Sequence, residues 1–417
     1  MKSNYKKLGQ FIRVVDTRNK ENRKDNLLGV STQKVFIDSV ANTVGTDFKK
    51  YKIVRKHQFT YVPDTSRRGD KIGIAMLESL DQALVSQAYT VFEVKDSNLL
   101  DPEYLMMWFR RPEFDRYARF KSHGSVREIF DWQEMCDVEL PVPSIEKQRE
   151  IVREYNVVND RIALNEQLTQ KLEDTAQALY KQWFVDFEFP ISKEYAESIG
   201  KPELEGKPYK SSGGAICWND LIEGEYPAVW DVKSFTQEVP LGGGGTPNTA
   251  ISEYWGGEIG FFTGRDVTKG YYALHNQKNI TELGLKNSSA KLYPKNTTFI
   301  LCRGATTGSV AIAGKDMAMN QSCYAMKSES GQEFYVHQLS LYLMKRLKAM
   351  VVDGAIFNSL VTKDFDEQKV VAPPRETKEQ FNQFIAPIYH KLELCLLNNT
   401  QLNKLIELLH SKLSNLG

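Results

Sequence analysis

The stretch IVREYNVVNDRIALNEQLTQKLEDTAQALYKQW, residues 151 to 183, has a twin in IAPIYHKLELCLLNNTQLNKLIELLHSKL, residues 385 to 413. In the first, a ladder of Ile151, Tyr155, Val158, Ile162, Asn165, Thr169, Leu172, Ala176 and Leu179 climbs in alternating steps of four and three. In the second, Ile385, Tyr389, Leu392, Leu396, Asn399, Asn403, Ile406, His410 and Leu413 repeat those steps 234 residues later. Steps of this kind make the seam of a coiled-coil helix. An ordinary amphipathic helix would explain either ladder alone. It does not explain a shared Ile-x3-Tyr start and a shared asparagine on the fourth step after it. The chain is an internal duplication, and its function must use two similar halves.

Outward from the ladders, the chain divides into parts. At 417 residues it exceeds one ordinary core, so two or three domains are expected. Residues 1–140 mix short β-rich runs (TYVPD, IGIAM, YTVFEV) with a helical stretch from Pro102 to Arg119. Residues 141–188 form the first long helix, which leaves the Pro-bounded LPVPS with Ser144 as its N-cap. Residues 189–226 read as a linker rich in Gly, Pro, Ser and Lys, and 227–371 as a second globular domain. Residues 372–417 hold the second helix, reached through VAPPRE and a Thr377-x-x-Gln380 capping box, with Pro387 expected to bend it. The globular parts repeat as well: Arg68-Gly69 with Gly73 matches Arg303-Gly304 with Gly308, and Ser86-Gln87 matches Asn320-Gln321. The expected fold class is mixed α/β, one domain and one long helix per half.

A hydrophobic content of 41% and a charged content of 26% are those of a soluble globular protein. Cys136, Cys217, Cys302, Cys323 and Cys395 are scattered without a Cys-x2-Cys pair, which points away from disulfides and zinc and toward a reducing cytoplasm. No apolar run suits a signal peptide or a membrane span. Net charge is only +1, yet residues 1 to 71 carry 17 Lys/Arg against 7 Asp/Glu. The basic residues cluster at Lys49, Lys50, Lys52, Arg55 and Lys56, and at Arg67, Arg68 and Lys71. Such clusters are either a solvated surface or the footprint of a phosphate backbone.

Several blocks resemble one family, the DNA specificity subunits of type I restriction-modification systems. They are Pro141-x-Pro143-Ser144-x3-Gln148, QALYKQWFVDFEFP at the end of the first helix, and GEYPAVWDV at 224 to 232. GGGGTPNTAISEYWGG at 242 to 257 and Phe262-Thr263-Gly264-Arg265-Asp266 complete the series, in order across a duplicated chain. The resemblance implies two target-recognition domains, each reading one part of a bipartite, asymmetric site in double-stranded DNA. It implies two long helices that pair antiparallel in a pseudo-two-fold arrangement, hold the domains apart and dock two methyltransferase subunits. Those subunits would bring S-adenosylmethionine for N6-adenine methylation, and motor and nuclease subunits would bring ATP and Mg²⁺. This chain itself is then expected to hold no metal or cofactor and to catalyse nothing.

The residues agree with that implication in what they lack: an Asp/Asn-Pro-Pro-aromatic tetrapeptide and a Gly-x4-Gly-Lys-Ser/Thr loop. Gly242 to Gly245, followed by Thr-Pro without a lysine, suits a permissive turn near DNA. Two other readings compete. Pro63-Asp64 followed by Glu93-Val94-Lys95 has the order of a PD-(D/E)xK nuclease, in which two carboxylates hold Mg²⁺. A scaffold binding only protein would use the helices but not the basic N-terminal region. His57 and His123 lie in polar segments without ligand spacing, and Trp183 and Phe184 serve either as core or as a partner surface.

Base edges are read by Arg, Asn, Gln, Lys, Ser and Thr. The candidates for DNA contact are the basic clusters above with Gln87, Ser125 and Arg127 in the first domain. In the second they are Arg265, Arg303, Thr306, Thr307, Gln321 and Asn358. For the helices, a parallel pair would set Asn165 against Asn399. The antiparallel register expected here sets Asn165 against Asn403 and Thr169 against Asn399, with Tyr155 against Leu413. The ladder from Ile151 to Trp183 would be about 48 Å long at about 1.5 Å per residue, enough to separate half-sites about 34–36 Å apart.

Overall fold

The structure, a computed structural model, describes residues 4–24, 26–39, 45–65, 71–123, 128–267, 271–349 and 359–413. They fall into two compact units, one of residues 1–162 with 401–417 and the other of residues 163–400. Arg67, Arg68, Ser125, Arg127 and Asn358 lie outside the described residues.

In the first unit the strands are β1 (Tyr5–Lys7), β2 (Ile12–Val15), β3 (Leu27–Val30), β4 (Phe36–Asp38), β5 (Lys52–Arg55), β6 (Phe59–Tyr61), β7 (Ile74–Met76), β8 (Gln82–Val85), β9 (Thr90–Val94) and β10 (Glu139–Pro141). They form sheets of order β2-β9-β6-β7 and β4-β3-β8-β5, while β1 pairs with β10. The helical stretch expected from Pro102 to Arg119 is two helices, α1 (Pro102–Phe109) and α2 (Pro112–Lys121). Pro112 explains the break, because a residue before proline is pushed out of helical geometry, and Arg111 is extended. A short α3 (Trp132–Cys136) follows, then the long α4 (Ile145–Phe184). Phe59, Phe92, Phe109, Phe114 and Phe130 form the buried centre, with Phe59 stacked on Phe92 at 4.9 Å. Each such ring contributes roughly 1.5–3 kcal/mol on burial.

In the second unit, α5 (Lys193–Ser198) and the hairpin of β11 (Ile216–Asn219) and β12 (Gly224–Pro227) occupy the segment expected to be a linker. That segment is packed: Phe189 stacks on Tyr209 at 4.7 Å and on Trp230 at 4.4 Å, all three buried. The strands that follow are β13 (Asp231–Ser234), β14 (Leu241–Gly243), β15 (Trp255–Phe262), β16 (Tyr272–Ala273), β17 (Lys278–Ile280), β18 (Leu292–Tyr293), β19 (Thr298–Leu301), β20 (Val310–Ala313), β21 (Met317–Met319), β22 (Cys323–Met326) and β23 (Lys369–Ala372). Helices α6 (Phe235–Glu238), α7 (Glu282–Lys286), α8 (Glu333–Ala349), α9 (Thr362–Asp366) and α10 (Arg375–Leu413) complete the chain.

The sheets here have the order β14-β22-β19-β20-β16 and β17-β15-β21-β18, and β13 pairs with β23. Strand for strand this is the first unit again. The parallel pair β3·β8 returns as β15·β21, and the antiparallel hairpin β6·β7 returns as β19·β20. The hairpin β11·β12 and β16 have no counterpart, and β16 lies inside a longer connection between β15 and β17. The duplication read in the helices therefore extends through the sheets.

The two long helices start differently. In α4 the Ser144 hydroxyl accepts the Lys147 N–H at 3.4 Å, the N-cap expected. The second helix already begins at Arg375, directly after Pro373-Pro374, so Thr377 and Gln380 lie within its first turns and do not cap it. It runs on through Pro387, at the cost of the hydrogen bond that the Gln383 carbonyl would receive.

Antiparallel pairing holds in each unit taken alone. In the second, Asn165 Nδ2 donates to Asn399 Oδ1 at 2.7 Å while Trp183 packs on Phe381 at 5.3 Å. In the first, Tyr155 lies against His410 at 5.4 Å. As one helix rises the other descends, so the direction is as expected and the register is not. Asn165 meets Asn399 instead of Asn403, Asn403 is exposed, and Thr169 stands level with Cys395. The shift is four residues, about 6 Å along the axis. The expectation overlooked that two copies of one helix, laid antiparallel, bring a residue against its own repeat mate at their midpoint.

Candidate nucleic-acid interface

Strand registers decide which loops share an edge. In the second unit Leu301 pairs with Cys323, Gly243 with Tyr324, and Phe262 runs parallel to Met319. The segments after Gly243, Phe262, Leu301 and Met319 therefore emerge at the same end of the two sheets. Those segments carry Arg265, Arg303, Thr306, Thr307 and Gln321, so five candidates chosen separately from the sequence come together.

Their settings differ. Arg265 sits at the tip of a turn organised by Asp266, whose buried carboxylate accepts from the Thr263 N–H (2.7 Å), the Thr263 hydroxyl (2.8 Å) and the Gln277 N–H (2.7 Å). Arg303 is bridged to Ser359, and both arginines are exposed with no ion pair among the described residues. Gly304 and Gly308 bracket that loop at φ of 112° and 79°, left-handed values that explain glycine there. Thr306 is exposed, whereas the half-buried Thr307 hydroxyl donates to the Gly304 carbonyl at 2.7 Å and serves the turn itself. Gln321 accepts through its amide oxygen from the Thr246 hydroxyl. The glycines at 242 to 245 are not needed for an unusual φ, as the sequence suggested. A Cβ on Gly244 would collide with the Met319 and Asn320 carbonyls, and one on Gly242 with the Tyr293 ring.

In the first unit Tyr61 pairs with Ile74 and with Thr90, so the β6–β7 connection, with Lys71, shares an end with the β8–β9 turn, which carries Gln87. Lys71 and Gln87 are exposed. The Thr65 N–H bonds to Glu128 and His123 pairs with Ile129, which brings the segment around His123 to the same end. Lys34, at the β3–β4 tip, is buried against Asp115 at 2.5 Å, and Asp115 also accepts the Ile72 N–H. Burial pulls the Lys34 amine below its usual range. This pair anchors the Lys71 loop, and nothing in the sequence singled it out.

The basic run from 49 to 56 does not form one patch. Lys52 pairs with Val85 and Arg55 with Gln82, so β5 carries the run from the end that holds Gln87 toward the opposite one. Lys49 and Lys50 lie before β5 and are exposed, and Lys50 is 4.0 Å from Asp47. Arg55 and Lys56 are exposed at the far end, where the Lys56 N–H bonds to Asp81. Lys52 corrects the expectation: its side chain is 12% exposed and its amine donates to the Tyr89 carbonyl at 2.7 Å. Packing has turned it inward.

The nuclease constellation does not assemble. Glu93 is held by Arg13 at 2.6 Å and by Gln58 at 2.8 Å, and the Lys95 amine donates to the Gly9 and Gln10 carbonyls. Asp64 follows β6 at the end where Tyr61 meets Thr90, whereas Glu93 lies past Phe92, opposite Phe59, toward the other end. Trp183 and Phe184 are core residues packed on Phe381. All five cysteines are free thiols. Among the described residues no helix is long and apolar enough to cross a membrane.

The motif glutamine of the first helix proves structural. Gln148 is 0% exposed; its Oε1 accepts the Asp101 N–H at 2.8 Å and its Nε2 donates to the Leu99 and Pro143 carbonyls. Its repeat mate, Asn382, accepts the Phe334 N–H at 2.7 Å. In both halves an amide on the long helix holds the start of a domain helix.

One sheet pair and one long helix in each repeat, with polar and basic loops gathered at one end of each sheet pair, define a duplicated two-domain binding protein. The type I restriction modification DNA specificity domain matches residues 2–174 and 227–408, so the chain belongs to that family, the specificity subunits of type I restriction-modification systems. The HindI specificity subunit of Haemophilus influenzae is 23% identical over 98% of both chains. The MjaIX specificity subunit of Methanocaldococcus jannaschii is 24% identical over 70% of this chain and 63% of its own. The S subunit of a type I system from M. genitalium has the same fold, with a TM-score of 0.55 at 12% identity over 98% of this chain and 95% of that one.

Proposed function

We propose that this chain chooses the DNA sequence on which a type I restriction-modification complex acts, and that it does so without catalysis of its own. Each half reads one part of a bipartite, asymmetric site in double-stranded DNA. The observation that carries this reading is the gathering of Arg265, Arg303, Thr306 and Gln321 at one end of the second sheet pair, with Lys71 and Gln87 at the matching end of the first. Arginine pairs bidentately with guanine and glutamine with adenine, so such ends suit a major groove. Lys49, Lys50, Arg67, Arg68, Ser125, Arg127 and Asn358 belong to the same reading as phosphate or base contacts.

Two methyltransferase subunits dock on the long helices, carry S-adenosylmethionine and methylate adenine at N6; motor and nuclease subunits bring ATP and Mg²⁺. Exposed Leu394 and Leu397 on α10 in the second unit, and exposed Leu405 and Leu408 on α10 in the first, support a docking role, since neighbouring exposed leucines are uncommon on a surface meant only for water. Work of this kind on DNA is cytoplasmic. The test is a complex purified with its methyltransferase subunit and presented with genomic DNA. One bipartite methylated motif that requires this chain is the expected result. Cleavage or methylation by the chain alone, or a motif unchanged when the chain is replaced by a relative's, would overturn the reading.

A further inference from the structure

Within the paired sheets, the connection between β15 and β17 is the largest departure from the repeat among the described residues. In the first unit the equivalent turn spans only Ser31 to Val35; in the second, the chain leaves Phe262, presents Arg265, crosses to the edge of the other sheet as β16 and returns at Gln277. Asp266 closes the neck of this arm through Thr263 and Gln277. Its far point is Tyr271, and Tyr271 is held by the long helix. The Tyr271 N–H donates to Glu173 Oε1 at 3.1 Å and its hydroxyl donates to the Glu173 carbonyl at 3.2 Å. That hydroxyl also accepts from Gln177 at 3.1 Å, while the Tyr271 carbonyl accepts the Ile312 N–H at 2.6 Å. The ring stands edge-on to His337 at 4.7 Å.

We propose that Glu173 and Tyr271 are positioning residues for the second half of the recognised site, with α4 holding in place the arm that presents Arg265. The proposal rests on the reading of Arg265 as a DNA contact. The alternative is that Tyr271 is ordinary core and Glu173 a bystander. Against it stands the repeat itself: Glu407, the mate of Glu173, is exposed, while Glu173 is only 9% exposed. A carboxylate is costly to bury and needs partners, and burial pushes the Glu173 carboxyl above its usual range. The same residue is thus buried only in the half that has the arm, and its carboxylate accepts the N–H at the arm's far point.

Two readouts test this. In the full chain, amide hydrogen exchange at 263–267 and 271–277 should quicken at least tenfold in Glu173→Ala and in the milder Tyr271→Phe. It should stay near wild type in Glu173→Gln, whose amide oxygen still accepts the N–H, and in Glu407→Ala. In the complex with its methyltransferase subunit, Glu173→Ala should relax about tenfold the discrimination at one or more positions of one half-motif and leave the other half intact. Unchanged exchange in the arm, or equal weakening of both half-motifs together with a lower Tm, would overturn the proposal. If the wild-type complex methylates no motif that depends on this chain, the functional reading fails instead, while the exchange experiment still reports on the clamp.

Discussion

At the scale of single residues, the best-defined side chains are those that hold loops, not those that would touch a ligand. Gln148 satisfies three backbone groups inside the first unit. Gln148→Ala would leave them buried without partners and should cost about 2–3 kcal/mol, measured by urea unfolding of the full chain. Arg265 and Arg303 are the opposite case. Arg→Ala at either should leave stability unchanged and cost about 1–3 kcal/mol of discrimination at one motif position if it reads a base. Uniform weakening across all sequences would assign it to phosphate. His337 adds a pH dependence. It is fully buried beneath Tyr271 and Tyr389, and desolvation holds its imidazole down at about 3, against about 6.5 unfolded. The unfolded chain therefore binds the extra proton, and the stability that His337 lends is full above pH ~6.5 and falls as the pH drops, by up to about 1.4 kcal/mol per unit. Between pH 6.5 and 5, the Tm of His337→Gln should decline less steeply than that of wild type.

At the scale of elements, the helix pair shows how a repeated seam chooses its register. Both ladders keep the same four-three steps, so a slide of one step still sets apolar rungs on apolar rungs. What separates the alternatives lies elsewhere. In the observed register the amide of Asn165 donates to that of Asn399, and Trp183 reaches Phe381 and Phe384. A buried amide needs a partner, which penalises slippage even where it adds little stability. Asn165→Leu alone should then destabilise by about 0.5–1.5 kcal/mol through loss of its hydrogen bond to Asn399. The double change Asn165→Leu with Asn399→Leu should recover the loss or exceed wild type. Chemical denaturation of the three variants distinguishes this from a layer in which each asparagine is separately hydrated, where the two effects would simply add.

For the whole molecule, the duplication predicts modular behaviour. Exchange of residues 1–140 for the corresponding domain of a relative should alter one half of the methylated motif and leave the other, and a change in both halves would argue against independent reading. Binding should weaken steeply with salt, because phosphate contacts release counterions. Replacing Arg67, Arg68 and Lys71 with alanine should reduce the slope of log K against log salt by about one for each phosphate no longer neutralised. Lys52→Ala, whose side chain is turned inward, and the Arg55/Lys56 pair at the far end of β5 should leave that slope unchanged.

Periodicity and punctuation carried much of this architecture in the one-dimensional string. The four-three ladders, the β-rich runs TYVPD, IGIAM and YTVFEV, the Pro-bounded exits and the Ser144 cap are local patterns, and local backbone physics is enough to read them. The order of five short blocks was enough to point to the family. Register was not legible, because two ladders of equal period match at every step and only the aromatic and amide contacts at particular levels break the tie. Nor was the fate of individual polar residues. Lys52, Arg55, Thr307 and Gln321 look alike as candidates, yet strand pairing sends one inward, one to the far end and one into its own turn, leaving the last at the gathered edge. The structural roles of Asp266, Asp115 and Glu173 were illegible for the same reason. Their roles come from backbone groups that approach only after folding: Gln277 N–H, Ile72 N–H and Tyr271 N–H. Local sequence determines which elements form and that they form twice; long-range contacts alone decide which side chains are left facing outward to bind.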